Sequence, residues 1–279
     1  MRISFFVFRH KGRVLRPQAR VSRRLTSHLM PCKMLRMDRR NFIESCSTAA
    51  TAACLSGAAS LPAIASDARP KAYQRVLLTN ERGDPFKAST LVAQTNYVFH
   101  YPFEATPVFL LDLGKAALPS NSASLQTKGG ENYAWPGGVG LSKSIVAFSA
   151  ICAHHLVYPT QQVSFISFRK GTPLNAKTPN SGADLIHCCA DHSQYDPAQG
   201  AKVLSGPATQ PLCAILLEHN AKDDTLTAYA TLGGELFDDF FKKYEAKLSI
   251  DVGSKAKNAV ALRTPVRELE KFCRNAVKC

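Results

Sequence analysis

Between Arg75 and Leu232 the apolar residues come in runs too short for helices, and this limits the chain to a narrow set of folds. "RVLLT", "TLVAQ", "NYVFHY", "PVFLLDL", "SIVAFSAI", "SFISF", "AILLEH" and "LTAYATL" are rich in β-branched and aromatic residues. Turn-forming stretches such as "NERGDP", "ALPSNSAS", "KGGENYAWPGGVG" and "EHNAKDDT" separate them. Many short strands with regular turn punctuation predict an all-β fold, an antiparallel sandwich or barrel rather than an α/β fold. Helix is expected only at the end. "GELFDDFFKKYEAKL" spaces Leu236, Phe237, Phe240, Phe241, Tyr244 and Leu248 as one face of an amphipathic helix, and "TPVRELEKFCRNAVKC" reads as a second, shorter one.

The formal charge of +14 raises the question of a polyanionic partner, and its distribution answers it. Residues 1–65 hold 12 of the 35 Lys and Arg but only 2 of the 21 Asp and Glu, which leaves 23 bases against 19 acids in the remainder. A body so nearly neutral excludes a nucleic-acid partner. Residues 1–36 form a basic leader without a structural role, and Met37 is a natural start. From Met37 to Ala65, Arg39-Arg40 precede a weakly apolar Ala/Ser/Thr run that ends in Ala63-Ile64-Ala65. This reads as a twin-arginine export signal with a small-x-small cleavage site. Such a signal predicts a periplasmic protein exported already folded, with a cofactor inserted beforehand. Left uncleaved, it would serve as a membrane anchor; otherwise no membrane association is expected. The expected organisation is leader 1–36, signal 37–65, β domain 66–234 and helical extension 235–279.

Three of the nine cysteines, Cys32, Cys46 and Cys54, lie in the leader and signal, so six remain in the body. Two groups sit beside histidines. "CAHHL" supplies Cys152, His154 and His155; "CCADH" supplies Cys188, Cys189 and His192, with Cys189 placed 37 residues after Cys152. Each box offers a thiolate and an imidazole from a short loop, as a four-ligand centre requires. Zinc uses such ligands, and so does a [2Fe–2S] cluster with two Cys on one iron and two His on the other. Finger-type zinc sites group like with like, whereas each box here mixes the two. Cys273 and Cys279, six apart, are candidates for a local disulfide, and Cys213 in "PLCAILL" for a small apolar core residue.

From about Tyr133 to Ala230, through "GVGLSKSIVAFSAICAHHL", "CCADHSQYDPAQGAKVLSGPA" and "QPLCAILLEH", the sequence resembles the Rieske iron–sulfur family. The family has a Cys-x-His box, a Cys-x-x-His box followed by Ser-x-Tyr-Asp, and a shielding Gly-Pro-Ala loop. The resemblance implies an antiparallel β-sandwich with a cluster-binding subdomain and a [2Fe–2S] cluster held by Cys152, His154, Cys189 and His192. It also implies tuning hydroxyls at Ser193 and Tyr195, ahead of Asp196, and a shield at Gly206, Pro207 and Ala208. Cys188 and His155 are the alternatives to Cys189 and His154. Anchoring on Ser193-x-Tyr195 would place Cys188 at the ligand cysteine and Asp191 at the ligand histidine. The preferred alignment puts Val157 and Asp191 where respiratory members carry a loop-bracing disulfide, so no such brace is expected, and the family's glycine before the serine is missing.

The resemblance implies a non-catalytic electron-transfer role, as a free carrier or as the small subunit of a respiratory or periplasmic oxidoreductase. The partner would be a quinol or a c-type cytochrome. No second iron site of the oxygenase kind, with two His and a carboxylate, is apparent in the sequence. The competing expectations are a non-redox, zinc-stabilised β domain and a Rieske frame that has lost its cluster. The excursion from Pro159 to Asp184 reads equally as a partner-docking loop or as a tolerated insertion.

Overall fold

The computed structural model describes residues 68–121, 124–171 and 183–279. The expected leader and export signal, and residues 172–182 of the Pro159–Asp184 excursion, lie outside them. Among the described residues no helix is long and apolar enough to cross a membrane.

The fold is all-β, as expected, with short helices near the C-terminus. In chain order the strands are β1 (Lys71–Thr79), β2 (Tyr97–His100), β3 (Pro107–Asp112), β4 (Leu125–Gln126), β5 (Asn132–Tyr133), β6 (Ile145–Ser149), β7 (Ile166–Arg169), β8 (Leu185–Cys188), β9 (Gln194–Asp196), β10 (Lys202–Ser205), β11 (Ala214–Asn220), β12 (Thr225–Leu232), β13 (Arg263–Pro265) and β14 (Arg267–Glu268). Eight of them form one sheet in the order β13-β1-β12-β11-β6-β3-β2-β14, antiparallel throughout except for β1 with β13. A second sheet, β10-β9-β8-β7, carries the second Cys/His box, and β4 pairs with β5 alone.

The continuous apolar runs arise because the central strands are covered on both sides. Successive side chains of a strand point to opposite faces. Tyr97, Phe99, Val108, Leu110, Ile145, Ala147, Ile215 and Leu217 accordingly join Val76 and Leu78 in one core, together with Cys213. Their neighbours Val98, Phe109, Leu111, Val146, Phe148, Ala214 and Leu216 face a second core, shared with Ile166, Phe168, Ile186 and Tyr195 of the small sheet. Cys152 and Cys188 belong to that second core, so packing of the small sheet on the large one determines where the two boxes meet.

The C-terminal segment behaves differently from its sequence pattern. Residues 263–268 form strands instead of the start of a helix, and helix α3 is confined to Leu269–Phe272. Pro265 cannot donate a ladder hydrogen bond and is tolerated at a sheet edge. β13 and β14 are separated only by Val266, yet they lie at opposite ends of the strand order. The sheet therefore curls until its edges approach: the His100 amide donates to Thr264 Oγ1 (3.4 Å) and the Val266 amide to the Thr79 carbonyl (2.8 Å). "TLVAQ" is not a strand either. A 3₁₀ turn occupies Ala88–Thr90, and Gln94 takes a positive φ of 61°.

The expected amphipathic helix is split into α1 (Phe237–Lys243) and α2 (Glu245–Asp251). Tyr244 leaves the helical region at φ −108°, ψ 17°, with its ring against Tyr158 at 5.0 Å and Phe240 at 5.5 Å. Acids in the first turn of α1 and lysines in its last suit the helix dipole. Phe237, Phe240, Phe241 and Leu248 pack against Ile151 and Leu156, which flank the first box.

His100 gives this fold a testable acid limit. Burial, reinforced by the nearby Arg267 charge, lowers its imidazole to about 4. The unfolded chain would take up that proton near 6.5. Stability from a neutral His100 is therefore complete above about pH 6.5 and is lost as pH falls towards 4, by about 2–3 kcal/mol. Urea midpoints of His100→Gln should fall less steeply than wild type across that window; parallel curves would refute the assignment.

Candidate metal centre

The first box follows β6. The Cys152 amide donates to the Val157 carbonyl and the Leu156 amide returns to the Cys152 carbonyl, each at 2.9 Å, closing a tight loop. Leu156 takes φ 55° to make the turn. Beneath it, Lys243 of α1 donates to the His155 carbonyl at 2.6 Å. Cys152 is fully buried, whereas His154 and His155 are exposed and their rings stand 4.3 Å apart.

The second box is the tip of the β8–β9 hairpin. Ile186 pairs with Tyr195 and His187 with Gln194, and the Cys188 amide donates to the Ser193 carbonyl at 2.9 Å. Strand alternation sends Ile186 and Cys188 inward, both 0% exposed, and leaves Cys189 on the other side. His192 is exposed and adopts φ 60°, the left-handed conformation that glycine most readily supplies.

The structure thus brings together Cys152, Cys188 and Asp191 in one trio of potential ligand atoms and His154, His155 and Asp191 in another, each within 4.8 Å. Of the expected ligands, Cys152 falls in the first trio and His154 in the second. Cys189 and His192 are not in either trio. Cys189 instead forms a disulfide with Cys279, which also corrects the expected Cys273–Cys279 pairing. Cys273 is buried in the core against that second sheet, with its Sγ against the Asn275 carbonyl at 3.3 Å, while the tail beyond it runs away along Ser164.

That tail is fastened at several points. Ser164 and Asn275, then Val277 and Ser164, exchange backbone bonds of 2.9 and 2.8 Å, and Arg169 donates to Cys189 Sγ and to the Val277 carbonyl. The brace that the boxes lack between themselves is supplied to the second box by the C-terminus. No local sequence signal marks it, because the paired cysteines lie 90 residues apart.

Donors and acids around the thiols are arranged specifically. Tyr195, fully buried, accepts from the Ala153 amide at 3.2 Å, which leaves its own hydroxyl proton for Cys152 Sγ at 3.4 Å. The Cys188 thiol, hydrogen-bonded to Cys152, holds the Cys152 thiol low against burial, with help from Tyr195. That same pairing, with burial, pushes Cys188 up. Burial and the adjacent Cys152 charge raise Tyr195. Burial opposes ionisation of Asp191, but the Ser193 amide and the two thiols outweigh it and hold the carboxyl low. Asp191 Oδ2 lies 3.1 Å from Cys152 Sγ and 3.2 Å from His154 Nδ1.

Two buried thiols side by side, an imidazole at the surface and a hydroxyl aimed at a sulfur fit an iron–sulfur cluster by their donor chemistry. The Gly206–Ala208 loop covers this hairpin. Ser193 Oγ accepts from the Ala208 amide at 3.2 Å, and a Cβ on Gly206 would fall 2.7 Å from the Ser193 amide nitrogen. At φ +91° a side chain there is strained as well. Gly206→Ala should lift the loop, lower stability by about 1–3 kcal/mol and speed bleaching of any bound chromophore. An unchanged thermal midpoint and bleaching rate would contradict this.

Fold and site together define a class: an all-β protein with a candidate metal centre held between two loops. No protein-family profile matches the chain. Among solved structures, the soluble domain of the Rieske protein II (soxF) from Sulfolobus acidocaldarius is similar at 23% identity and a TM-score of 0.40, covering 57% of this chain and 78% of that one.

Proposed function

We propose that this chain carries one electron on a Rieske-type [2Fe–2S] cluster, exported by the twin-arginine route to the periplasm. It would act as a carrier or small subunit beside a larger oxidoreductase, exchanging electrons with a quinol or a c-type cytochrome. The observation that carries this reading is the buried Cys152–Cys188 pair with the Tyr195 hydroxyl directed at Cys152.

Cys152, Cys188 and His154 would hold the cluster, which supplies reversible one-electron chemistry when bound. The protein's part is orientation and field. Tyr195 donates to a ligand sulfur, an interaction that strengthens as the centre becomes more negative and so favours reduction. Burial of both cysteines keeps water from the sulfurs, while His154, with 38% of its side chain exposed, presents the centre to a partner. Tyr195→Phe should therefore lower the reduction potential by about 60 mV, a tenfold change for one electron, with iron content unchanged. A protein without a reduction wave, or a potential unmoved by this substitution, would count against the proposal.

A further inference from the structure

We propose that Asp191 is the fourth cluster ligand, a carboxylate standing where the Rieske pattern has its second histidine. This rests on the iron–sulfur reading above. The hairpin is in register without a gap: Ile186 opposite Tyr195 and the Cys188 amide on the Ser193 carbonyl leave Cys189 to His192 as its tip. Counting from Cys188 along Cys-x-x-x therefore arrives at Asp191, not His192.

Three observations support the carboxylate. Its side chain is only 1% exposed, although no lysine or arginine partner of it is found among the described residues. One oxygen, Oδ2, faces both Cys152 Sγ and His154 Nδ1, while Oδ1 is fixed by the Ser193 amide at 2.9 Å. With Oδ1 satisfied by that amide, Oδ2 is the oxygen left to meet a metal held between the thiol and the imidazole. Asp191 is also the member common to both trios, the inner one of sulfur and the outer one of nitrogen. His192 sits at the left-handed turn position and is exposed, outside either trio.

A carboxylate in place of a neutral imidazole makes the centre one charge more negative in both oxidation states, and so disfavours adding an electron. Asp191→His should keep the cluster and shift the equilibrium towards the reduced form at least tenfold, a rise of 59 mV or more for one electron.

The test uses the full chain matured in an exporting host, with iron and sulfide analysis, potentiometry and pulsed EPR. Wild type should show hyperfine coupling to a single imidazole nitrogen, lost in His154→Ala and retained in His155→Ala and His192→Ala. Asp191→Ala should lose iron or change its g values, with circular dichroism reporting whether the fold survives. If Asp191→Ala does not fold, the nitrogen count in wild type and the potential of Asp191→His still decide. Two coupled nitrogens, cluster loss in His192→Ala, or an unshifted potential in Asp191→His would overturn the assignment while leaving the iron–sulfur reading intact. Absence of iron from wild type would remove the reading itself.

Discussion

Cys188→Ser and Cys152→Ser should each yield a colourless, iron-poor protein, whereas Cys189→Ser should keep its iron and its visible spectrum. The contrast follows from strand alternation. Cys188 and Ile186 share the inward face of the β8–β9 hairpin and are fully buried, and Cys188 sits against Cys152. Cys189, one residue on, faces the Phe165 carbonyl with its amide and Cys279 with its sulfur. Exchanging their roles would require a one-residue slip that turns every side chain of β8 to the opposite face. Ile186 would lose its place in the core, at a cost of about 2–5 kcal/mol for a residue of that size. The measurement is iron per chain with the visible absorption spectrum of the three variants. Loss of colour in Cys189→Ser with retention in Cys188→Ser would show the register to be wrong.

The second large effect concerns the C-terminus. Cys279→Ser should lower unfolding stability by about 2–4 kcal/mol, because the bond to Cys189 closes a long loop and restricts the unfolded chain. Reductant should lower wild type by the same amount and leave the variant unaffected. Arg169 and the Ser164 backbone bonds would still retain the tail, so the loss should be smaller than the chain-entropy ceiling. Urea unfolding with and without reductant measures it. Equal midpoints for oxidised wild type and variant would contradict a bonded tail.

How much was legible in the sequence depended on whether a feature was local. Six strands of the main sheet, β1, β2, β3, β6, β11 and β12, and the first Cys/His box, Cys152 to His155, follow from short-range patterns. The second box was ambiguous because two adjacent cysteines fit two registers, and ligand chemistry favoured the histidine over the aspartate. A usable signal lay in the run from Ile186 to Cys188 opposite Tyr195, whose alternation puts Cys188 inside. The disulfide partner of Cys189 and the strands at Arg263–Glu268 depend on contacts made from opposite ends of the domain, and no window of sequence encodes them. The division of the C-terminal helix likewise follows from Tyr158, far from Tyr244 in sequence.

Low-temperature EPR of dithionite-reduced protein, expressed from Met37 in an exporting host, alongside iron and zinc analysis, tests the iron–sulfur proposal most directly. Two irons per chain and a rhombic signal with average g below the free-electron value are expected. A silent, colourless protein holding one zinc or no metal would contradict the proposal and leave a structural β domain.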